Sequence, residues 1–169
     1  MNAFLPEDYE RPESVGNYMK LKDGTNKLRI MSAPVFGHEY WTKDKKPMRS
    51  RTPFEATPEN AKLDDGKFKP KFFWALVVWN YATKSLQVWE VTQASIQGPI
   101  EDLISNEDWG DPRSYDITVT KKGELLDTEY GVQPSPQKPA PEEATIAFKE
   151  TPVNLEALFD SEDPFATKD

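Results

Sequence analysis

The chain contains no cysteine and a single histidine, His38, in 169 residues. These absences exclude disulfide bonds, thiol chemistry and zinc clusters built from cysteine and histidine. No glycine-rich phosphate loop, G-x-S-x-G elbow or H-E-x-x-H motif occurs either, and His38 has no nucleophile near it in sequence. Asp108 and Asp111 are better explained as capping residues at a helix end than as metal ligands. The sequence therefore predicts no catalytic residues, no cofactor and no metal.

Long apolar runs are also missing. The longest, residues 72–79, is far too short to cross a bilayer. The N-terminus is acidic and lacks the apolar region of a signal peptide. We therefore expect a soluble, cytoplasmic protein that makes no contact with membranes.

Positive charge is in short supply overall but is concentrated in one region. The net charge is −8. Residues 20–72, however, carry thirteen Lys and Arg against seven Asp and Glu, a balance of +6. Residues 140–169 carry eight acids against two lysines, a balance of −6. This asymmetry predicts a basic working surface followed by an acidic tail.

An aromatic hairpin dominates what is present. Residues 72–81 and 86–92 are rich in β-branched and aromatic residues and flank a polar four-residue connection, which indicates two antiparallel strands. The first run is apolar at nearly every position, so both of its faces are expected to be covered or used. One alternative buries every ring in a small barrel. The other packs one face and offers rings on the other to a flat ligand such as a nucleic-acid base.

The other elements surround this hairpin. Residues 27–32 and 36–42 predict one long, bent opening strand with Gly37 as a bulge. Gly98-Pro99 predicts the start of a helix whose apolar face is Ile100, Leu103 and Ile104, and strands follow at 115–120 and 126–132. This order predicts an all-β fold with one short helix, a five-stranded OB-fold barrel, with an SH3-like barrel as the competitor.

Two parts are expected in the chain. Residues 1–133 form the OB-fold domain with an N-terminal arm. Residues 134–169 form a stiff proline-rich spacer and a disordered acidic tail.

Non-specific binding of a single nucleic-acid strand needs positive charge along the phosphates and flat rings on which bases stack. The candidate basic residues are Lys27, Arg29, Lys43, Lys45, Lys46, Arg49 and Arg51. The candidate stacking residues are Tyr40, Trp41, Phe54, Phe73, Trp74 and Trp79.

The acidic tail extends this hypothesis. An anionic segment on a spacer can fold onto the basic groove, imitate a phosphate backbone and be displaced by nucleic acid. A purely solubilising tail is the alternative, but such a tail has no need of the apolar residues found among the acids. The candidate partner-binding residues are Phe159, Asp160, Glu162, Asp163 and Phe165.

With these residues in view, the chain resembles the single-stranded-DNA-binding proteins of bacteriophage replication systems. The resemblance runs from residue 72 to about 139, through VWNYATKSLQVWEVTQASI, EDWGDP, YDITVTKKGE and LDTEYGVQPSP, with KLRIM upstream. It implies an OB-fold that coats single strands without catalysis during replication, recombination and repair, in the host cytoplasm. It also implies that Asp160, Glu162, Asp163 and Phe165 recruit a polymerase, primase, helicase or recombinase. Tails of this type often end on the aromatic, whereas here four residues follow Phe165.

Two other functions stay open at this point. Stacking platforms accept any base, so an RNA-binding or strand-annealing protein fits the same pattern. A protein–protein adaptor, in which the aromatic surface docks a protein, is the alternative from another class. The sequence does not distinguish a monomer from a dimer.

Overall fold

The computed structural model describes Phe4, Glu7 and residues 16–166. Most of the predicted N-terminal arm and the last three residues of the tail therefore lie outside the described residues. The helices and strands are β1 (Gly24–Ile30), β2 (Val35–Trp41), β3 (Pro47–Ser50), β4 (Lys71–Asn80), β5 (Ser85–Val91), α1 (Ala94–Ser105), β6 (Asp116–Lys122), β7 (Glu129–Pro134) and α2 (Glu142–Glu150). Short 3-10 helices span Pro112–Ser114, Leu125–Asp127 and Leu155–Asp160.

The seven strands form one antiparallel sheet in the order β3-β2-β4-β1-β6-β7, with β5 on the other edge of β4. The predicted aromatic hairpin is confirmed as β4 and β5, paired from Trp74–Val91 to Asn80–Ser85. β1 and β2 lie end to end along the same edge of β4. The predicted bent opening strand is therefore two strands separated by residues 31–34. The fold is mostly β with few helices.

The prediction of a closed five-stranded barrel is wrong. Closure requires the free edges of β5 and β7 to pair, and no such pairing exists within residues 16–166. Instead, the Met19 amide donates to the Val88 carbonyl at 2.9 Å, and the Val88 amide donates to the Asn17 carbonyl at 2.8 Å. The backbone groups on that edge of β5 are thus satisfied by the chain that precedes β1, and the sheet stays open.

The first core lies on the face of the sheet that α1 covers. Leu28, Leu76, Trp89 and Ile117 are almost fully buried there, together with Ile100 of α1. The predicted helix begins four residues earlier than expected, at Ala94. This shift places Ile96 and Ile100 in the core and leaves Ile104 48% exposed.

The second core lies on the opposite face and is completed by the C-terminal segment. Phe73, Ala75 and Val77 of β4 pack there against Leu155 and Leu158. Burying each leucine contributes roughly 1.5–3 kcal/mol. The expectation that both faces of β4 are covered is confirmed. The expectation of an unstructured tail is not confirmed: residues 142–150 and 155–160 are helical, and apolar side chains of the second segment cover this face.

The proline-rich spacer is also packed, contrary to expectation. Ser135 donates to the Asp116 carbonyl at 2.9 Å and Lys138 donates to the Ser114 carbonyl at 3.1 Å. The Arg29 guanidinium donates to the Lys138 carbonyl at 2.7 Å. The spacer is therefore fastened along the start of β6 as far as residue 138.

Gly37 is required by a close approach and not by a bulge. It pairs regularly with Phe73 of β4. A Cβ atom at this position would lie 2.4 Å from the Ser50 carbonyl oxygen and 2.9 Å from Cε1 of Phe159. The missing side chain thus lets the C-terminal segment sit directly on β2.

Candidate nucleic-acid interface

Three of the predicted lysines lie together on the β2–β3 turn. Lys43, Lys45 and Lys46 are exposed. Two backbone hydrogen bonds hold the turn. The Thr42 amide donates to the Lys46 carbonyl at 2.8 Å, and the Lys45 amide donates to the Thr42 carbonyl at 2.9 Å. The hydroxyl oxygen of Thr42 also accepts from the Lys46 amide at 3.1 Å. The turn therefore presents three lysines and one acid, Asp44, a balance of +2, on a fixed backbone.

Trp41 stands beside this turn at the end of β2 and is 47% exposed. It lines an open cleft of about 670 Å³. Tyr18 and Met48, both more than a third exposed, lie on other walls of the cleft, and Lys46 lies at its rim. An exposed indole and a phenol near an ammonium group are the kinds of side chain that single-strand binding uses for base stacking and phosphate contact.

Arg49 lies at the base of the cleft and is held in place by two carboxylates. Its guanidinium is 3.3 Å from Oε2 of Glu39 and 2.8 Å from Oε2 of Glu90. Its side chain is almost fully buried and lies 5.8 Å from the centre of the Phe73 ring. The predicted phosphate ligand is therefore an internal partner whose charge is already neutralised.

The two carboxylates share one cation, which changes the proton affinity of the more buried one. Burial, and then the neighbouring Glu90 carboxyl, raise the pKa of Glu39 to about 8, against the opposing effect of Arg49. Glu90 holds the shorter bond to Arg49 and is more exposed, so the proton stays on Glu39. The base of the cleft is thus close to neutral at pH 7.

Arg51 directly follows β3 and contacts the C-terminal segment. Its guanidinium forms an ion pair with Glu156 and lies 4.2 Å from the centre of the Phe159 ring. Its side chain is 60% exposed. Of the predicted arginines, only Arg51 therefore lies on a surface that a ligand can reach.

The acidic tail borders the same cleft. Glu162 and Asp163 are among the residues that line it, as is Lys46. The segment is folded there by hydrogen bonds from the Glu162 amide to the Ala157 carbonyl and from the Asn154 amide to the Pro164 carbonyl. Tail carboxylates therefore line the aromatic cleft together with Lys46.

The aromatic residues of the tail point inward and not toward a partner. Phe159 packs 5.8 Å from Phe73, and Phe165 packs against the same core. Asp160, Glu162 and Asp163 are exposed. In this conformation the two predicted partner-binding rings stabilise the fold, and only the acids are accessible.

Most of the predicted stacking rings are also packed inside the protein. Phe73 and Trp79 are buried, and Trp74 is half-buried against the first core. Tyr40 is buried, donates to Oδ1 of Asn60 at 3.0 Å and packs edge-on at 5.0 Å against Phe54. Because each side chain is used inside the protein, Trp41 is the predicted ring with a freely accessible face.

Arg29 is likewise buried and already paired. It is 2% exposed and lies 3.3 Å from Asp116. Burial alone raises the pKa of Asp116, but hydrogen bonds from Tyr81, Lys138 and Arg29 outweigh it and hold that pKa below its usual range. Lys27 lies 4.5 Å from the centre of the Tyr81 ring and 3.7 Å from Asp116. These cations fasten β1 to β6 and to the spacer.

Sequence reasoning missed several residues near Trp41. Tyr18 and Met48 come from segments distant in sequence, and only the sheet brings them together. Lys62, Lys69 and Lys71 flank the other side of Trp41, where a second concavity opens. The lysines belong to the basic segment already recognised from its charge balance, and that balance was the signal that pointed to them.

A separate apolar groove of about 590 Å³ lies between α1 and the outer part of β2 and β4. We define it by Pro34, Phe36, Phe72, Trp74, Ile104 and Pro112. Phe36 is 61% exposed, and its rim carries Glu101, Asp111 and Arg113. Residues 101–113 contain five acids and one arginine, so this groove suits phosphates poorly.

No helix among the described residues is long and apolar enough to cross a membrane. Within those same residues, no cluster of three or more His, Asp or Glu side chains is arranged to hold a metal ion.

Comparison with known proteins gives one informative relative. A protein of Escherichia phage T5, named "Probable ssDNA-binding protein", is 28% identical over 141 residues. The match covers 69% of this chain and 54% of the relative, so the chain spans about half the length of that protein. No family model matches the chain, and no solved structure matches it.

Proposed function

We propose that this protein binds single-stranded DNA with little sequence preference, without catalysis. The observation that carries the proposal is the exposed Trp41, which lines the cleft together with Lys46 and lies next to the turn that carries Lys43 and Lys45. Stacking of a base on an aromatic side chain contributes about 1–3 kcal/mol, and phosphate contacts supply the rest. The name of the phage T5 relative supports the same ligand.

The strand pairing supports an OB-type arrangement in which β5 and β7 are not paired with each other. Taken as one bent strand, β1 and β2 pair with β4 and β6, while β4 pairs with β5 and β6 with β7. An OB-fold has these same neighbouring strands and one further pairing, which here would join β5 to β7 and is missing among the described residues. The outer face of β4 and β5, which OB-folds use for oligonucleotides, is the face covered here by residues 155–165.

We therefore propose that the acidic tail and DNA compete for adjoining surfaces. Glu156 pairs with Arg51, while Glu162 and Asp163 line the Trp41 cleft. A bound strand would displace these carboxylates and make the segment from residue 139 onward available to another protein. The division of roles between residues 1–133 and 134–169 belongs to this proposal.

The cellular role proposed is the coating of exposed strands in replication, recombination and repair, in the cytoplasm of a phage host. The released tail, through Asp160, Glu162, Asp163 and the then exposed Phe159 and Phe165, would recruit a polymerase, primase, helicase or recombinase.

The test is intrinsic tryptophan fluorescence during titration with a poly-dT oligomer at low and high salt. We expect quenching at low salt that added salt reverses, and we expect Trp41→Leu to remove most of it. Trp79→Phe, at a buried ring, is the matched control and should keep the quenching. Absence of quenching in the wild type at low salt would exclude this site.

A protein–protein adaptor is the second candidate, favoured by the apolar groove with its acidic rim. This function predicts no change in tryptophan fluorescence with DNA or with RNA oligonucleotides. An RNA-binding or annealing protein would respond to both, so titrations with DNA and RNA of identical sequence separate the three functions.

A further inference from the structure

Trp41 lines two concave surfaces and not only the cleft described above. The second surface has a volume of about 370 Å³, and its walls come from the end of β2, the start of β4 and the loop between β3 and β4. We call it the lysine concavity and define it by Trp41, Lys62, Leu63, Phe68, Lys69 and Lys71. A nucleotide stacked on the Trp41 indole therefore borders both surfaces.

The strand register sets Lys71 on the same face of the sheet as Trp41. Lys71 of β4 pairs directly with Glu39 of β2, and directly paired residues of antiparallel strands present their side chains on one face. Trp41 follows Glu39 by two residues in β2, so it shares that face. The Cα atoms of Trp41 and Lys71 are thus roughly 7 Å apart along the strands and about 5 Å apart across them. The Lys71 ammonium group is therefore within reach of a nucleotide on the indole.

The loop that carries Lys62 is fastened to the end of β2. The Lys62 amide donates to the Trp41 carbonyl at 2.7 Å. Phe68, farther along the loop, packs edge-on against Tyr40 with ring centres 5.6 Å apart. Phe68 remains partly exposed and Leu63 is 46% exposed, so both offer apolar contact to a base or a sugar. Because these walls are already fixed, little conformational entropy is lost when a ligand binds.

The lysine concavity is the more basic of the two surfaces while the acidic tail is in place. The cleft is lined by two cations and by three acids, of which Glu162 and Asp163 belong to the tail. The lysine concavity is lined by three lysines and two acids, and no acid of the described part of the tail lies there. Phosphates are therefore attracted to the lysine concavity before the tail has moved.

The two acids of the lysine concavity do not cancel its charge. Asp64 lies 3.7 Å from Lys69 and is offset by it. Glu39 keeps its proton at pH 7, because burial raises its pKa to about 8. Lys62 and Lys71 are exposed and form no ion pair within the described residues. These two ammonium groups therefore remain available to phosphates.

We propose that the lysine concavity is the entry subsite for single-stranded DNA. The strand stacks on Trp41 with phosphates on Lys62 and Lys71, and it then extends into the cleft as it displaces the tail. This inference rests on the proposed function, and it assigns the first contact to residues that the tail leaves uncovered.

The test is stopped-flow quenching of tryptophan fluorescence by a dT oligomer at low salt, with the full chain. We expect Lys62→Gln/Lys71→Gln to lower the association rate constant at least about fivefold, because charges at an entry surface act mainly on association. The difference should shrink as salt is added. Lys22→Gln/Lys122→Gln, at two exposed lysines that line neither surface, is the matched control and should associate like the wild type.

Photocrosslinking locates the strand directly. A dT oligomer that carries 5-iodouracil should crosslink to the peptide that contains Phe68 as well as to peptides of the cleft, as mapped by mass spectrometry. An unchanged association rate for Lys62→Gln/Lys71→Gln, or crosslinks confined to the cleft, would overturn the entry subsite, while quenching of the wild type would leave the proposed function standing. A wild type that shows no quenching at low salt would overturn both.

Discussion

Arg49 illustrates how a single residue can be misread from its charge. It lies in the basic segment, yet its guanidinium is enclosed by Glu39, Glu90 and Phe73. A buried cation requires a nearby anion, and here two carboxylates share it. The surplus negative charge is removed by keeping a proton on Glu39, whose pKa burial and Glu90 raise to about 8.

This arrangement predicts an unusual dependence of stability on pH. The pKa of Glu39 is raised from 4.5 to about 8 on folding, so the folded state binds the extra proton between these values. The stabilisation that this proton on Glu39 contributes is complete below pH 4.5 and is lost as the pH rises through 8. We expect the free energy of unfolding to fall by on the order of 5 kcal/mol across this window, measured by urea denaturation.

Glu39→Gln supplies the comparison for this prediction. The amide does not ionise, so the variant should lose most of the decline between pH 5 and 9. Glu90→Gln should also flatten it, because the neighbouring charge is gone. Identical pH profiles for the wild type and Glu39→Gln would show that Glu39 is ionised at neutral pH.

At the scale of elements, the C-terminal segment has two roles that are physically separate. Its apolar residues Leu155, Leu158 and Phe159 complete the second core. Its acids Glu162 and Asp163 line the Trp41 cleft, and Glu156 pairs with Arg51. Truncation after Pro139 removes both at once and exposes Phe73, so a gain in DNA affinity from lost carboxylates would be mixed with lost stability.

Neutralising the acids alone isolates the electrostatic role. We expect Glu156→Gln/Glu162→Gln/Asp163→Asn to bind poly-dT roughly three- to tenfold more tightly at low salt, since each exposed pair contributes only about 0.2–1 kcal/mol. Fluorescence anisotropy at matched salt measures the effect.

The matched control for this variant neutralises three acids of α2, Glu142→Gln/Glu143→Gln/Glu150→Gln. These residues lie outside the cleft, so the affinity should not change. Equal tightening by both triple variants would point to net charge alone and would remove the support for competition at the cleft.

For the whole molecule, the distribution of charge matters more than its total. The net charge is −8, but four exposed cations lie in or near the cleft: Lys46 lines it, Lys43 and Lys45 share its turn, and Arg51 follows β3 and pairs with Glu156. At an ionic strength of 0.15 M the Debye length is about 8 Å, so distant acids are screened from a bound strand.

The salt dependence of binding tests this local view. If about four phosphates are neutralised at about −0.7 each, the log–log slope of affinity against salt is about −3. Lys43→Gln/Lys45→Gln/Lys46→Gln should reduce it to about −1, whereas Lys84→Gln/Lys121→Gln/Lys122→Gln should leave it unchanged. A wild-type slope near zero would contradict the cleft as a phosphate site.

Local pattern alone predicted the hairpin, the first helix and the two later strands, but not β3 or α2. The continuous apolar run of β4 predicts a strand covered on both faces, because side chains alternate between faces and neither face carries regular polar residues. The aromatic hairpin, a helix after it and two later strands follow from the same periodicities. The unequal charge balance locates the basic turn and the acidic segment, since composition does not depend on folding.

Only the tertiary structure decided how these parts are used. Whether Arg29, Arg49, Phe73 or Trp79 faces water depends on what packs above it, and the covering segments come from distant parts of the chain. The sheet stays open because residues 17–19 satisfy the edge of β5. The tail is ordered because β4 has a second apolar face to cover. Burial and edge pairing are long-range properties, and local sequence does not encode which partner will satisfy them.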